Sequence, residues 1–294
     1  MQEPFSTSDS YRITTHRSSL SIDAHQHFWN YDPIRGSWIT NEMSVIRKDF
    51  LPENLQPILA ENGFDGCVAI QVDQSENENH FLLDLANKND FIKGVVGWID
   101  LQSPNIAERL AYYKQFKKLK GFRHILQGET DRAYMLKTEF IRGINALTQF
   151  NYTYDILIFP DQLPYIKKFV ESCPEQKFVI DHLAKPYVKN KKIAGWKEDI
   201  ERVAASKNVY CKISGMVTEA SWQSWKEEDF IPYLAVVVNA FGTDRIMFGS
   251  DWPVCLVAAR YDEVVNIVKD YFSSFTQNEQ DILFRQNAIK FYNL

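Results

Sequence analysis

The chain has only four cysteines in 294 residues, Cys67, Cys173, Cys211 and Cys255, and no two of them stand in a CxxC or CxxxC spacing. That argues against a cysteine zinc site and reads as buried free thiols in a reducing compartment. Long apolar runs are missing as well: none approaches the ~18 residues that a membrane span needs. Residues 1–18 are polar and rich in Ser and Thr, without the apolar centre of a signal peptide. A flexible N-terminal tail and a cytoplasmic location are therefore expected. The formal charge is −5 and no basic stripe occurs, so nucleic acid is not an expected partner. No glycine-rich phosphate loop follows the first apolar segment, which argues against a doubly wound nucleotide-binding sheet. Histidine is scarce, six residues in all, so the places where the six fall carry information.

What is present is a repeated alternation. Eight short apolar runs begin near Ser21, Gly66, Gly94, Lys120, Tyr154, Lys177, Val209 and Arg245. Each is followed by a stretch of helical spacing, for example 51–62, 77–89, 105–119, 133–150 and 161–172. The runs are continuously apolar rather than alternating, as parallel strands covered on both faces should be. Eight βα units in a chain of this length predict a (β/α)₈ TIM barrel, an α/β fold, over 19–294, with a C-terminal helical extension near 277–291. The aromatic loop from Trp29 to Arg47 is long enough to expect a functional role.

In such a barrel the chemistry sits at the C-terminal ends of the strands. The unusual polar residues fall there. Strand one ends in His25 and His27, two imidazoles at i and i+2 that share a face. Strand four carries Arg123 and His124, with Gln127 and Glu129 beyond; strand six ends in Asp181 and His182; strand eight ends in Gly249-Ser250-Asp251-Trp252-Pro253. Alternation along strand four allows only one of Arg123 and His124 to face the axis, and the sequence does not say which. His16 and His80 fall outside this pattern and read as solvated groups.

These motifs in order, DAHQHFWN at 23–30, GFRHILQGE at 121–129, YDILIFPDQLP at 154–164, DHLAKP at 181–186 and FGSDWPVCLVAARY at 248–261, resemble the amidohydrolase superfamily. More narrowly they resemble its amidohydrolase 2 group and the sugar-lactone hydrolase branch. The resemblance implies metal ligation by His25, His27, His182 and Asp251, three imidazoles and a carboxylate around one divalent ion, zinc by preference. It leaves metal-independent catalysis open. Asp251, His182 and Arg123 would be catalytic: Asp251 moves the proton and Arg123 or the metal stabilises the carbonyl oxygen. A salt bridge is the structural alternative for Arg123, and a helix cap the one for Asp251. His124, Glu129, Trp29, Trp38, Lys185 and Trp252 are candidates for substrate binding, although packing is the commoner fate of a tryptophan. Strand five ends in Ile158-Phe159-Pro160 without histidine, so a binuclear centre is not expected.

The implied reaction is hydrolysis of a sugar lactone, such as L-fuconolactone or L-rhamnonolactone, to the aldonic acid. Its expected partner is that small molecule, with no membrane and with homo-oligomerisation left open. A zinc-dependent decarboxylase on the same scaffold and a lactonase acting on a non-sugar dicarboxylate lactone are the alternatives. A barrel that binds without catalysis is a third, against which His25, His27, His182 and Asp251 argue together.

Overall fold

The computed structural model describes residues 20–294; the tail expected at 1–18 lies outside the described residues. Eight strands, β1 (Ile22–Gln26), β2 (Gly66–Ile70), β3 (Ile92–Gly97), β4 (Leu119–His124), β5 (Thr153–Ile156), β6 (Phe178–Ile180), β7 (Val209–Ile213) and β8 (Ile246–Phe248), pair in sequence order, all parallel. The ring closes just past the end of β8. There the His27 N–H donates to the Trp252 carbonyl at 2.7 Å and the Asp251 N–H to the His25 carbonyl at 2.8 Å. The eight intervening and flanking helices are α1 (Pro52–Asn62), α2 (Glu76–Lys88), α3 (Ile106–Tyr113), α4 (Thr138–Gln149), α5 (Leu163–Glu171), α6 (Trp196–Ala204), α7 (Ile231–Phe241) and α8 (Tyr261–Tyr271). This is the predicted (β/α)₈ barrel.

Alternation along each strand sorts the side chains into two cores. Cys67, Ala69, Phe122, Tyr154, Ile156, Phe178, Ile180, Cys211, Ile213 and Phe248 pack outward against the helices. Ile22, Ala24, Val68, Ile70, Val96, Val179 and Met247 fill the lower barrel interior. The C-terminal extension is α9 (Gln277–Asp281), one π turn (Ile282–Gln286) and α10 (Asn287–Tyr292). Ala288, Phe291 and Tyr292 of α10 join the interior cluster and cover the barrel floor. Helix α3 is shorter than its predicted span of 105–119, because the chain turns at Lys114 before entering β4. None of the described helices is long and apolar enough to cross a membrane.

Above the apolar floor the interior turns ionic. Lys212, fully buried, lies 2.6 Å from Asp155 Oδ2 and 3.1 Å from Asp181 Oδ1. Arg123 Nη1 donates to Asp181 Oδ2 at 3.0 Å, and the Tyr292 hydroxyl donates to Asp155 Oδ2 at 2.7 Å. Two cations and two carboxylates thus compensate one another, which buried charges require. This layer is the base on which the site stands.

Candidate active site

The first strand brings both of its imidazoles inward by breaking its own alternation. Ala24 faces the interior, while Asp23 faces outward, accepting from the Tyr261 hydroxyl at 3.1 Å. Strict alternation would turn His25 outward with Asp23. The pairing of β1 with β2 shifts register between Asp23 and Gln26, and His25 swings to the axis with His27. Asp23 also accepts from the Ser250 N–H at 2.9 Å and the His25 N–H at 3.1 Å, which ties the segment after β8 to β1. Two glycines make room for the rings. A Cβ on Gly249 would come within 2.5 Å of His25 Cβ, and one on Gly215 within 2.5 Å of His182 Nδ1.

The segment after β6 is a left-handed turn. His182, Leu183, Ala184 and Lys185 have φ between 52° and 56°, and Asp251 has φ 60°. None of these is glycine, so each position carries steric strain on the order of 1 kcal/mol or more. Such strain persists only where surrounding packing holds it, and here it aims His182 and Asp251 into one place.

Four groups meet at the rim. His27 Nε2 lies 3.2 Å from His25 Nε2 and 3.3 Å from Asp251 Oδ1; His25 Nε2 and His182 Nε2 lie 3.7 and 3.8 Å from that same oxygen. His27 Nδ1 sits 2.8 Å from the Ile70 carbonyl, so Nδ1 carries the proton and Nε2 its lone pair. His25 Nδ1 stands between Asp181 Oδ1 at 3.3 Å and Lys212 Nζ at 3.2 Å, with Arg123 Nη1 3.4 Å from its Nε2, and His182 Nδ1 meets Ser214 Oγ at 2.9 Å. Burial pushes all three imidazoles below their ordinary value, His25 and His182 strongly, and Lys212 pushes His25 further. Burial raises the Asp251 carboxyl, but the facing His182 and His27 outweigh it and hold the group below its ordinary value. Imidazoles held neutral by burial and a carboxylate therefore face one another. A tetrahedral ion with bonds of about 2.0–2.2 Å would set its ligands about 3.3–3.6 Å apart. The observed separations bracket that range for His25, His27 and Asp251, whose ligand atoms lie within 4.8 Å of one another and could hold a divalent cation, and His182 Nε2 reaches the same Asp251 oxygen. A carboxylate behind a ligating imidazole, as Asp181 stands behind His25, is the usual support for such a ligand.

Above the four groups is a hollow of about 200 Å³. His27, Arg123, His182, Asp251, Trp38 and Lys185 line it, which brings together six of the residues singled out from the sequence. His25 lies beneath it, and the structure takes the other four elsewhere. Arg123 faces the axis, and His124 therefore turns to the helix layer, stacked on Tyr134 and 2.8 Å from Glu129 Oε1. His124 and Glu129 satisfy each other away from the hollow. Trp29 is buried, with its indole N–H on the Lys48 carbonyl at 2.9 Å, and Trp252 packs between Phe28 and Phe50. Both indoles hold the rim in shape and neither lines the hollow. Sequence reasoning passed over Asp155, Lys212 and Ser214. A signal existed for the first two: each is a lone charge inside an apolar strand, TYDI and VYCKI, where only a buried partner permits one.

Named proteins and a solved structure resemble this chain over most of its length. An L-fucono-1,5-lactonase of Burkholderia multivorans is 38% identical over 287 residues, 94% of this chain and 97% of that one. An L-fucono-1,5-lactonase of Burkholderia ambifaria is 34% identical over 83% of this chain and 84% of its own. The crystal structure of an amidohydrolase from Burkholderia multivorans with bound zinc superposes with a TM-score of 0.91 at 39% identity, covering 94% of this chain and all of that one. The amidohydrolase family profile matches residues 22–294, from the first residue of β1 through the C-terminal extension beneath the barrel, and the chain belongs to that family.

Proposed function

We propose that this protein hydrolyses the ester bond of a sugar lactone, with L-fucono-1,5-lactone the first substrate to try. One observation carries the reading: three neutral imidazoles and an ionised carboxylate, drawn from β1, β6 and β8, converge within 3.2–3.8 Å beneath a hollow the size of a small molecule. The names of the two Burkholderia relatives support the choice of bond.

His25, His27, His182 and Asp251 would hold a divalent metal, by its relative's example zinc. When bound, such an ion polarises a carbonyl and lowers the pKa of water toward ~7. The chain's own groups supply the rest. Asp251 enters as carboxylate; Oδ1 is committed to the imidazoles, so Oδ2 takes the proton of the attacking water. Water oxygen bonds to the lactone carbonyl carbon, and negative charge grows on the carbonyl oxygen. The Arg123 guanidinium, fixed on Asp181 and Gln71, places positive charge at the hollow's floor to meet it. The ring C–O bond then breaks, and Asp251 returns its proton to the departing alkoxide. The product is the open hydroxy acid, which ionises and releases one proton to solution.

That proton is the assay. A pH-indicator measurement over a lactone panel, run on zinc-replete and metal-stripped protein, should show acid release with a sugar lactone. Activity confined to aromatic or unsaturated acids, with CO₂ as product, would sink the reading in favour of a decarboxylase.

A further inference from the structure

The walls of the hollow are mostly apolar: Trp38, Val72, Ile125, Leu157 and Val254. Most of its polar lining is engaged, although Arg123 Nε is left without a partner. His27, His182 and Asp251 face one another, Arg123 is bonded to Asp181, and Lys185 Nζ lies 3.4 Å from Glu219 Oε1. Gln127 is different. Its backbone is pinned on both sides: the N–H donates to the Leu157 carbonyl at 3.0 Å, and the carbonyl accepts from Arg132 Nη1 at 3.2 Å. Its carboxamide has no partner among the described residues, and Oε1 is buried in that state.

Buried side-chain oxygens are almost always paired, and each exception calls for a physical reason. Gln127 lines the hollow on a fixed backbone with its carboxamide unpaired, which leaves that amide for a ligand to engage. We propose that Gln127 is a substrate-binding residue that reads a ring hydroxyl, so that the site selects hydroxylated lactones over plain ones. The inference rests on the lactonase reading and names the feature of the lactone that is recognised. A carboxamide offers two donors and an acceptor, and a hydroxyl both donates and accepts, so the pair can satisfy each other in either amide orientation. The ionic floor fixes the carbonyl end of the ring through charge. Gln127 fixes its rotation, because the neighbouring Ile125, Leu157 and Val254 offer a hydroxyl nothing else. A lactone without that hydroxyl would leave the amide buried and unpaired, and this is how a site rejects a deoxy analogue strongly.

The test compares kcat/KM for L-fucono-1,5-lactone and for δ-valerolactone, which has the same ring and no hydroxyls. Wild type should prefer the sugar lactone. Gln127→Met keeps the shape and removes the hydrogen bonds; it should cut the ratio of the two values by about 10- to 100-fold, chiefly through the sugar lactone. Gln127→Ala should shift the ratio in the same direction and serves if the Met variant does not fold. A ratio that moves less than about 3-fold overturns the assignment, whether both rates fall together or neither does. So does a wild type that turns over δ-valerolactone and not the sugar lactone, a result that leaves ester hydrolysis standing. A wild type that hydrolyses neither lactone removes the lactonase reading itself and this inference with it.

Discussion

Asp251 is the residue whose state the surroundings define most sharply. Burial raises its carboxyl, yet the facing His182 and His27 hold it below its ordinary value. If it shuttles the proton, Asp251→Asn should lower kcat by about 10²–10⁴-fold, the usual worth of general acid–base catalysis. Circular dichroism should stay that of wild type; full turnover by the Asn variant would remove Asp251 from the mechanism. Lys212 makes a second case at this scale. Its ammonium is the shared partner of Asp155 and Asp181, all three fully buried. Lys212→Met leaves two carboxylates facing each other without it and should cost about 3–5 kcal/mol in urea unfolding, the penalty for breaking a buried pair by removing one partner. These two residues also show what the sequence can and cannot tell. Asp251 was legible because it ends a strand beside a turn and sits in a motif. Lys212 was visible as an oddity, but its partners lie on β5 and β6, and contact between strands far apart in sequence cannot be read from either alone. The fates of Trp29 and Trp252 were illegible for a related reason: an indole at a rim packs or binds according to neighbours that only the fold supplies.

At the scale of elements, the strands and helices were largely readable, because burial on both faces leaves an apolar run and burial on one face leaves a 3.6-residue stripe. The turns were not. Nothing in HLAK announces four left-handed residues, since no glycine marks them. The register shift in β1 left no trace in composition either. Such features come from tertiary packing overriding local preference, and they sit at the site. The contact of β8 with β1 tests this. Gly249→Ala would drive a methyl into His25 Cβ, and both atoms belong to backbone-fixed positions that cannot swing aside. We expect a loss of about 2 kcal/mol or more, and the proposed metal site should take up added zinc more weakly because His25 is displaced. Equal zinc titrations for variant and wild type would show that the barrel yields there. Helix α2 offers a pH-dependent counterpart. Glu78, three residues after the Ser75 cap, accepts from the Val72 N–H at 3.0 Å, and burial pushes its carboxyl from 4.5 up to about 7. The folded chain therefore holds a proton that the unfolded chain has lost between those values, and stability falls as pH rises through that window. Glu78→Gln keeps the acceptor and abolishes the titration. The variant should gain on wild type from pH 4.5 upward, reaching roughly 3 kcal/mol above pH 7. His25, His27, His124 and His182, all pushed down by burial, destabilise in the opposite direction, on acidification below 6.5, and cancel in the difference between the two proteins.

For the whole molecule, the consequential feature is that the site rests on an ionic layer, and the ionic layer rests on the C-terminus. Tyr292, at the far end of the chain from β1, donates to Asp155; Asp155 holds Lys212; Lys212 faces Asp181; Asp181 supports His25. The predicted C-terminal extension is thus a plug, a role its helical spacing did not reveal because the face it buries enters the barrel mouth rather than a helix groove. Two changes separate its parts. Deleting residues 287–294 exposes the interior to water and removes Phe291 and Tyr292, each worth about 1.5–3 kcal/mol of burial, together with the Asn287 side-chain bonds to the Thr243 and Ile246 carbonyls. Against a total stability on the order of 5–15 kcal/mol, that truncation should leave the barrel marginal or unfolded. Tyr292→Phe keeps the ring and its packing and removes only the donor to Asp155. Its expected cost is about 1–2 kcal/mol, seen as a lower urea midpoint at an unchanged slope, with kcat altered only a few-fold because the hydroxyl lies at the opposite mouth from the hollow. A Phe variant as stable as wild type would mean that the plug acts through apolar burial alone, and that the ionic layer balances itself without the hydroxyl from below.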